Sequence, residues 1–71
     1  MTFSESVRRE TRAMTEALFL YHHLKMRVIE LDDLGKLKPG DKILRIAQKA
    51  RDRFLKRRAE WEEMVRKEQD A

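Results

Sequence analysis

Every residue that breaks a helix falls within six positions at the middle of this 71-residue chain: Gly35, Pro39 and Gly40 are its only glycines and proline. They lie inside Leu34-Gly35-Lys36-Leu37-Lys38-Pro39-Gly40-Asp41, so one turn divides the chain into two uninterrupted arms. Charged residues make up 42% and hydrophobic residues 41% of the chain, the composition of long amphipathic helices.

The first arm predicts a helix over about residues 2–34. Thr2-Phe3-Ser4-Glu5 has the form of a capping box, and Ser4 is a second candidate cap. Val7, Met14, Tyr21 and Val28 recur every seven residues, with Ala17, Leu24 and Leu31 at the other seam position and Glu10 as its one polar member. Gly35 can take the left-handed conformation that ends a helix.

The second arm predicts a helix over about residues 40–68 after a turn at about 35–39, with Pro39 in its first helical turn. Its seam is Ile43, Ala47, Ala50, Phe54, Arg57, Trp61 and Met64, and Leu44, Ile46, Leu55 and Val65 widen the stripe. Asp52–Lys56, Glu62–Arg66 and Glu63–Lys67 are spaced for helix-stabilising pairs. The expected fold is all-α: one domain over residues 1–71, a long antiparallel hairpin of two helices.

A chain this short buries a marginal core, and without cysteine it has no disulfide to compensate. Leu18, Phe19, Leu20 and Tyr21 cover most of the circumference of the first helix, and Leu55 and Trp61 pose the same problem on the second. These six residues are the candidates for self-association or partner docking. A homodimer forming a four-helix bundle is the expected remedy, and a different protein covering the apolar girdle is the alternative. Trp61 also fits a plain core position.

Charge is sorted along the chain. Between Lys36 and Arg58 lie ten basic residues and two acids, a local net of +8 within a chain of net +4. Lys42, Arg45, Lys49 and Lys56 share a helix face away from the seam, with Asp52 in the same row and Arg51, Arg53 and Arg58 at its margins. These seven basic residues are the candidate binding site. A polyanion or an acidic protein surface fits it, and so does a face that only keeps the chain soluble. Backbone contact to DNA or RNA of low specificity is the favoured reading. Base-specific readout has little support, because Gln48 is the only amide on that half of the helix.

Other chemistry finds little footing. Ser4 and Ser6 are the only serines, there is no Cys nucleophile, and no Gly-rich phosphate loop is present, so no enzyme, cofactor or small-molecule ligand is expected. His22 and His23 are adjacent on a helix and cannot grip one metal together, so no metal is expected. No apolar run could span a bilayer and no export signal is read, so a cytoplasmic chain is expected. Glu10 and Arg57, each interrupting a seam, read as register-setting residues. Counting outward from the turn places Glu10 near Arg66 or Lys67 and Arg57 near Glu16. Replacing Arg57 by Leu would then raise stability. The favoured function is a small regulatory or accessory protein contacting nucleic acid. The alternatives are an adaptor or inhibitor binding an acidic partner, and an oligomerisation element of a larger assembly.

Overall fold

Two helices of equal length build the protein, α1 over Glu5–Asp33 and α2 over Lys42–Asp70, packed against each other as a hairpin. The structure is a computed structural model that describes residues 3–70. It is a rod of 52 × 17 × 13 Å, and among the described residues there is no strand.

Local chemistry sets each helix end. Ser4 is the N-cap of α1: it has extended backbone angles, and its Oγ accepts the Val7 backbone N–H at 3.2 Å. The capping-box reading of Thr2 lies outside the described residues. Ser4→Ala is expected to remove about 1 kcal/mol, because one orphan amide of the first turn loses its acceptor. A melting curve should record a fall of roughly 4–8 °C for a domain of this size. An unchanged midpoint would show that water replaces the cap at no cost.

At the other end of α1, Gly35 has φ +68°. Its N–H donates to the Asp32 carbonyl at 3.0 Å, and the Lys36 N–H reaches the Leu31 carbonyl at 2.9 Å. These two bonds form a Schellman closure, which needs a left-handed residue where Gly35 stands.

The connection is longer than the sequence predicts, because Pro39 and Gly40 form a turn of their own instead of opening α2. The Asp41 N–H donates to the Lys38 carbonyl at 3.1 Å, and Gly40 has φ +79°. Proline followed by a positive-φ glycine is the pattern of a type II turn. Helix α2 therefore begins at Lys42, with the Asp41 carbonyl accepting from the Leu44 N–H.

Between the helices, every seam position predicted from the heptad spacing is buried or half-buried, from Val7 to Leu31 on α1 and from Ile43 to Met64 on α2. Full burial is rare: among the described residues only Val7, at 1% exposure, and Ala50, at 7%, qualify as core. Two cylinders touch along a line, so each seam residue is covered from one direction only. Tyr21 and Phe54 stack across the seam with ring centroids 6.5 Å apart and planes at 16°.

Trp61 docks at the open end. Its indole N–H donates to Thr11 Oγ1 at 2.7 Å, and that hydroxyl donates to the Val7 carbonyl at 2.7 Å. The chain ends are tied by the Ser4 N–H donating to Glu68 Oε1 at 3.1 Å.

Glu10 and Arg57 pair with each other. Arg57 Nη1 lies 3.4 Å from Glu10 Oε1, with the Glu10 side chain 18% exposed and that of Arg57 40%. Neither expected partner, Glu16 for Arg57 nor the Arg66–Lys67 pair for Glu10, is the one used. An Arg side chain spans more than a helical turn, so counting backbone positions misplaces its head group. This changes the expected effect of substitution. Arg57→Leu alone strands a half-buried carboxylate and should lower the melting temperature, whereas Glu10→Leu with Arg57→Leu should raise it. A double variant that melts below the single one would show that the ion pair stabilises the hairpin outright.

Surface pairs follow the helical spacing only in part. Glu63 lies 4.0 Å from Lys67 as expected. Glu62 pairs back to Arg58 at 3.1 Å instead of forward to Arg66, and Asp52 accepts from Gln48 Nε2 at 3.2 Å instead of meeting Lys56.

Candidate nucleic-acid interface

The seven basic residues singled out on α2, Lys42, Arg45, Lys49, Arg51, Arg53, Lys56 and Arg58, are all exposed. They are displayed by an unbroken helix, so their directions follow from about 100° of rotation per residue. Lys42, Arg45, Lys49 and Lys56 point outward as one row about 21 Å long, given ~1.5 Å of rise per residue.

The three marginal residues do not widen this row evenly. Arg53 turns to one side, where it lines a groove with Ala13, Glu16, Ala17, Leu20, Ala50 and Arg57. Arg51 turns to the other side and lines a hollow with Tyr21, Lys25, Val28, Leu44, Ala47 and Gln48. Arg58, seven residues beyond Arg51, shares its side. Arg53 also shares hollows with Lys49 and with Lys56, so the basic surface faces two ways, the row with Arg53 on one side and Arg51 with Arg58 on the other.

Neutralisation is uneven as well. Among the described residues, Arg58 alone of the seven has an acidic partner, Glu62. Among the described residues, Lys42, Arg45, Lys49, Arg51, Arg53 and Lys56 form no ion pair. Elsewhere some exposed charges find partners, as in Arg9–Glu5 at 3.6 Å and Arg27–Glu30 at 3.2 Å, whereas among the described residues Arg8, Arg12 and Lys25 do not. Asp52 lies within the basic row and is engaged by the neutral Gln48 amide, so it lowers the local field without cancelling one particular cation.

The six apolar candidates separate into two groups. Tyr21 and Trp61 are half-buried in the hairpin's own seam, held by the Phe54 ring and the Thr11 hydroxyl. Leu18, Phe19, Leu20 and Leu55 remain exposed, Phe19 most of all at 67%. Ile46, Met26 and Ile29 join them on the surface. Thr11 was not among the predicted residues. A buried indole N–H needs an acceptor, and Thr11 and Thr15 are the α1 hydroxyls nearest the height of Trp61, which was the available signal.

His22 and His23 are both exposed. Among the described residues, no group of three or more His, Asp or Glu side chains is placed to hold a metal. No described helix is long and apolar enough to cross a membrane. No protein-family model matches the chain, and neither a curated protein nor a solved structure shows significant similarity to it.

Proposed function

We propose that this chain is a small non-enzymatic regulatory or accessory protein of the cytoplasm that holds nucleic acid by its phosphates. The row Lys42, Arg45, Lys49 and Lys56 carries this reading, because it presents exposed cations that form no ion pair among the described residues on one unbroken helix. Holding such charges together unneutralised costs self-repulsion, and a polyanion relieves it. Rigid spacing and flexible lysine stems suit phosphates better than base edges, so contact is to the backbone and sequence preference is low.

The working form is a homodimer, a four-helix bundle in which a second hairpin covers apolar residues that the first leaves in water. Leu20 and Ile46 are 47% and 50% exposed, which forfeits a large part of the ~1.5–3 kcal/mol available from burying each side chain.

Purification is the direct test. Nucleic acid should follow the protein through low-salt steps as a high 260/280 absorbance ratio, and high salt should strip it. A ratio that stays protein-like at low salt, with no shift of a labelled duplex, would remove this reading. A second reading is favoured by one observation: the groove that Arg53 shares with Leu20 and Ala50 joins cations to apolar surface, as an acidic amphipathic partner would need. A single protein recovered in stoichiometric amounts, without nucleic acid, would support that alternative.

A further inference from the structure

Two sides of the hairpin stay open along the seam, and their charges differ in sign balance. On the first, Ala13, Ala17 and Ala50 floor a groove of about 260 Å³, Leu20 stands on its wall, and Glu16 and Arg53 lie at its edges. Leu20 and Ile46, beside this groove, are exposed at 47% and 50%. On the second side, the hollow around Val28 and Ala47 is edged by Lys25 and Arg51 and has no acid. Leu18 and Leu55 belong to that second side, since Leu18 precedes Lys25 and Leu55 follows Gln48 by seven residues.

Glu16 and Arg53 line one groove, both are exposed, and among the described residues neither forms an ion pair. The first side therefore carries an apolar surface with an unused acid on α1 and an unused base on α2. A two-fold interface must be complementary to itself, and this combination satisfies that condition.

The geometry points to a second copy of this chain as the occupant of the Ala13–Ala17–Ala50 groove, with the two-fold axis parallel to the helices. The inference rests on the self-association put forward above and specifies its face. An axis in that direction lays each α1 over the partner's α2 at the height where it already faces its own. Glu16 of each chain then meets the partner's Arg53, and Leu20 and Ile46 leave water. Every neighbouring pair of helices is antiparallel, as in an up-down four-helix bundle.

The competing arrangements fail on charge. A perpendicular axis through the groove would lay α2 on α2 and oppose Arg53 to its own copy. Pairing through the second side opposes Lys25 and Arg51 to cations under either axis. Like charges brought face to face are strongly unfavourable. Lys49 borders this face beside Leu20 and Ile46, while Lys42 and Arg45 line neither hollow on it, so the outer part of the basic row appears twice on the dimer.

A charge-swap mixture tests the face. Glu16→Lys and Arg53→Glu are made as separate chains. Each alone opposes like charges at both symmetric contacts, so each should sediment as a monomer at concentrations where the wild type is a dimer. Mixed in equal amounts, they should recover a one-to-one dimer, because both contacts then join opposite charges. No intramolecular effect of either substitution produces that recovery, and circular dichroism checks that each chain stays helical. Leu18→Gln, on the other side, should leave the dimer intact. A monomeric wild type would overturn the self-association itself, whatever its affinity for a duplex. A dimeric wild type whose variants stay dimeric alone, whose mixture stays monomeric, or which Leu18→Gln dissociates, would overturn this face and leave self-association standing.

Discussion

Replacing Lys42, Arg45, Lys49 and Lys56 together by Gln is expected to abolish binding to a DNA or RNA duplex while leaving helix content unchanged. All four are exposed and among the described residues none forms an ion pair, so the substitution breaks no ion pair that supports the hairpin. Gln is also a good helix former. The effect on affinity follows from counterion release. Four phosphates neutralised per chain contribute about 3.6 to the slope of log affinity against log salt. Between 50 and 200 mM salt, that slope corresponds to a loss of roughly 10²-fold in the wild type, and the variant should lack this dependence. Titrations of a labelled duplex at several salt concentrations supply both numbers. Residual binding with an unchanged slope would show that the row is not the site. Arg51→Gln with Arg58→Gln is the matched comparison, because those two side chains face another direction and should reduce the slope by less.

Trp61→Ala is expected to cost about 3 kcal/mol, the lower end for deletion of a large aromatic, because the ring is only half-buried. Single domains have roughly 0.05–0.15 kcal/mol of stability per residue, so this one substitution removes a large share of the total. The melting midpoint should fall by about 12–24 °C at the usual 4–8 °C per kcal/mol for this size. Trp61→Phe isolates the hydrogen bond. It keeps most of the apolar area, loses the donor to Thr11 Oγ1, and should cost about 1 kcal/mol. If alanine costs no more than phenylalanine, the bond outweighs the packing. If neither moves the midpoint while dimerisation or binding is lost, Trp61 serves the surface and not the hairpin.

Much of the architecture was legible because helices read locally. The three breakers at the middle of the chain leave no other place for a turn. The seven-residue recurrence from Val7 to Val28 names the buried stripe without reference to the other helix. The predicted details that changed are those in which two sequence signals compete. Proline can open a helix or occupy the second position of a turn, and the positive φ of Gly40 decided for the turn. Thr2 and Ser4 both read as caps, and Ser4 holds the Val7 amide.

The site was legible as a list of residues and less so as a surface. A helical wheel places Lys42, Arg45, Lys49 and Lys56 together. It cannot say that Arg53 lines a groove with Ala17 and Leu20, while Arg51 lines a hollow with Tyr21 and Val28, because those neighbours belong to the other helix. Nor can it separate Tyr21 and Trp61, which the hairpin uses, from Phe19 and Leu20, which it leaves exposed.

By itself, the sequence determined two amphipathic helices, their antiparallel return and the residues of the seam. These depend on backbone propensity and periodicity, which act over a few residues at a time. Only the tertiary structure decided that Arg57 reaches Glu10, that Thr11 receives the Trp61 indole, and that an acid and a base edge one groove without pairing among the described residues. Those outcomes depend on the relative height and rotation of two helices and on the reach of long side chains. Both are set by packing across some fifty residues of sequence separation, as in the Thr11–Trp61 and Glu10–Arg57 contacts.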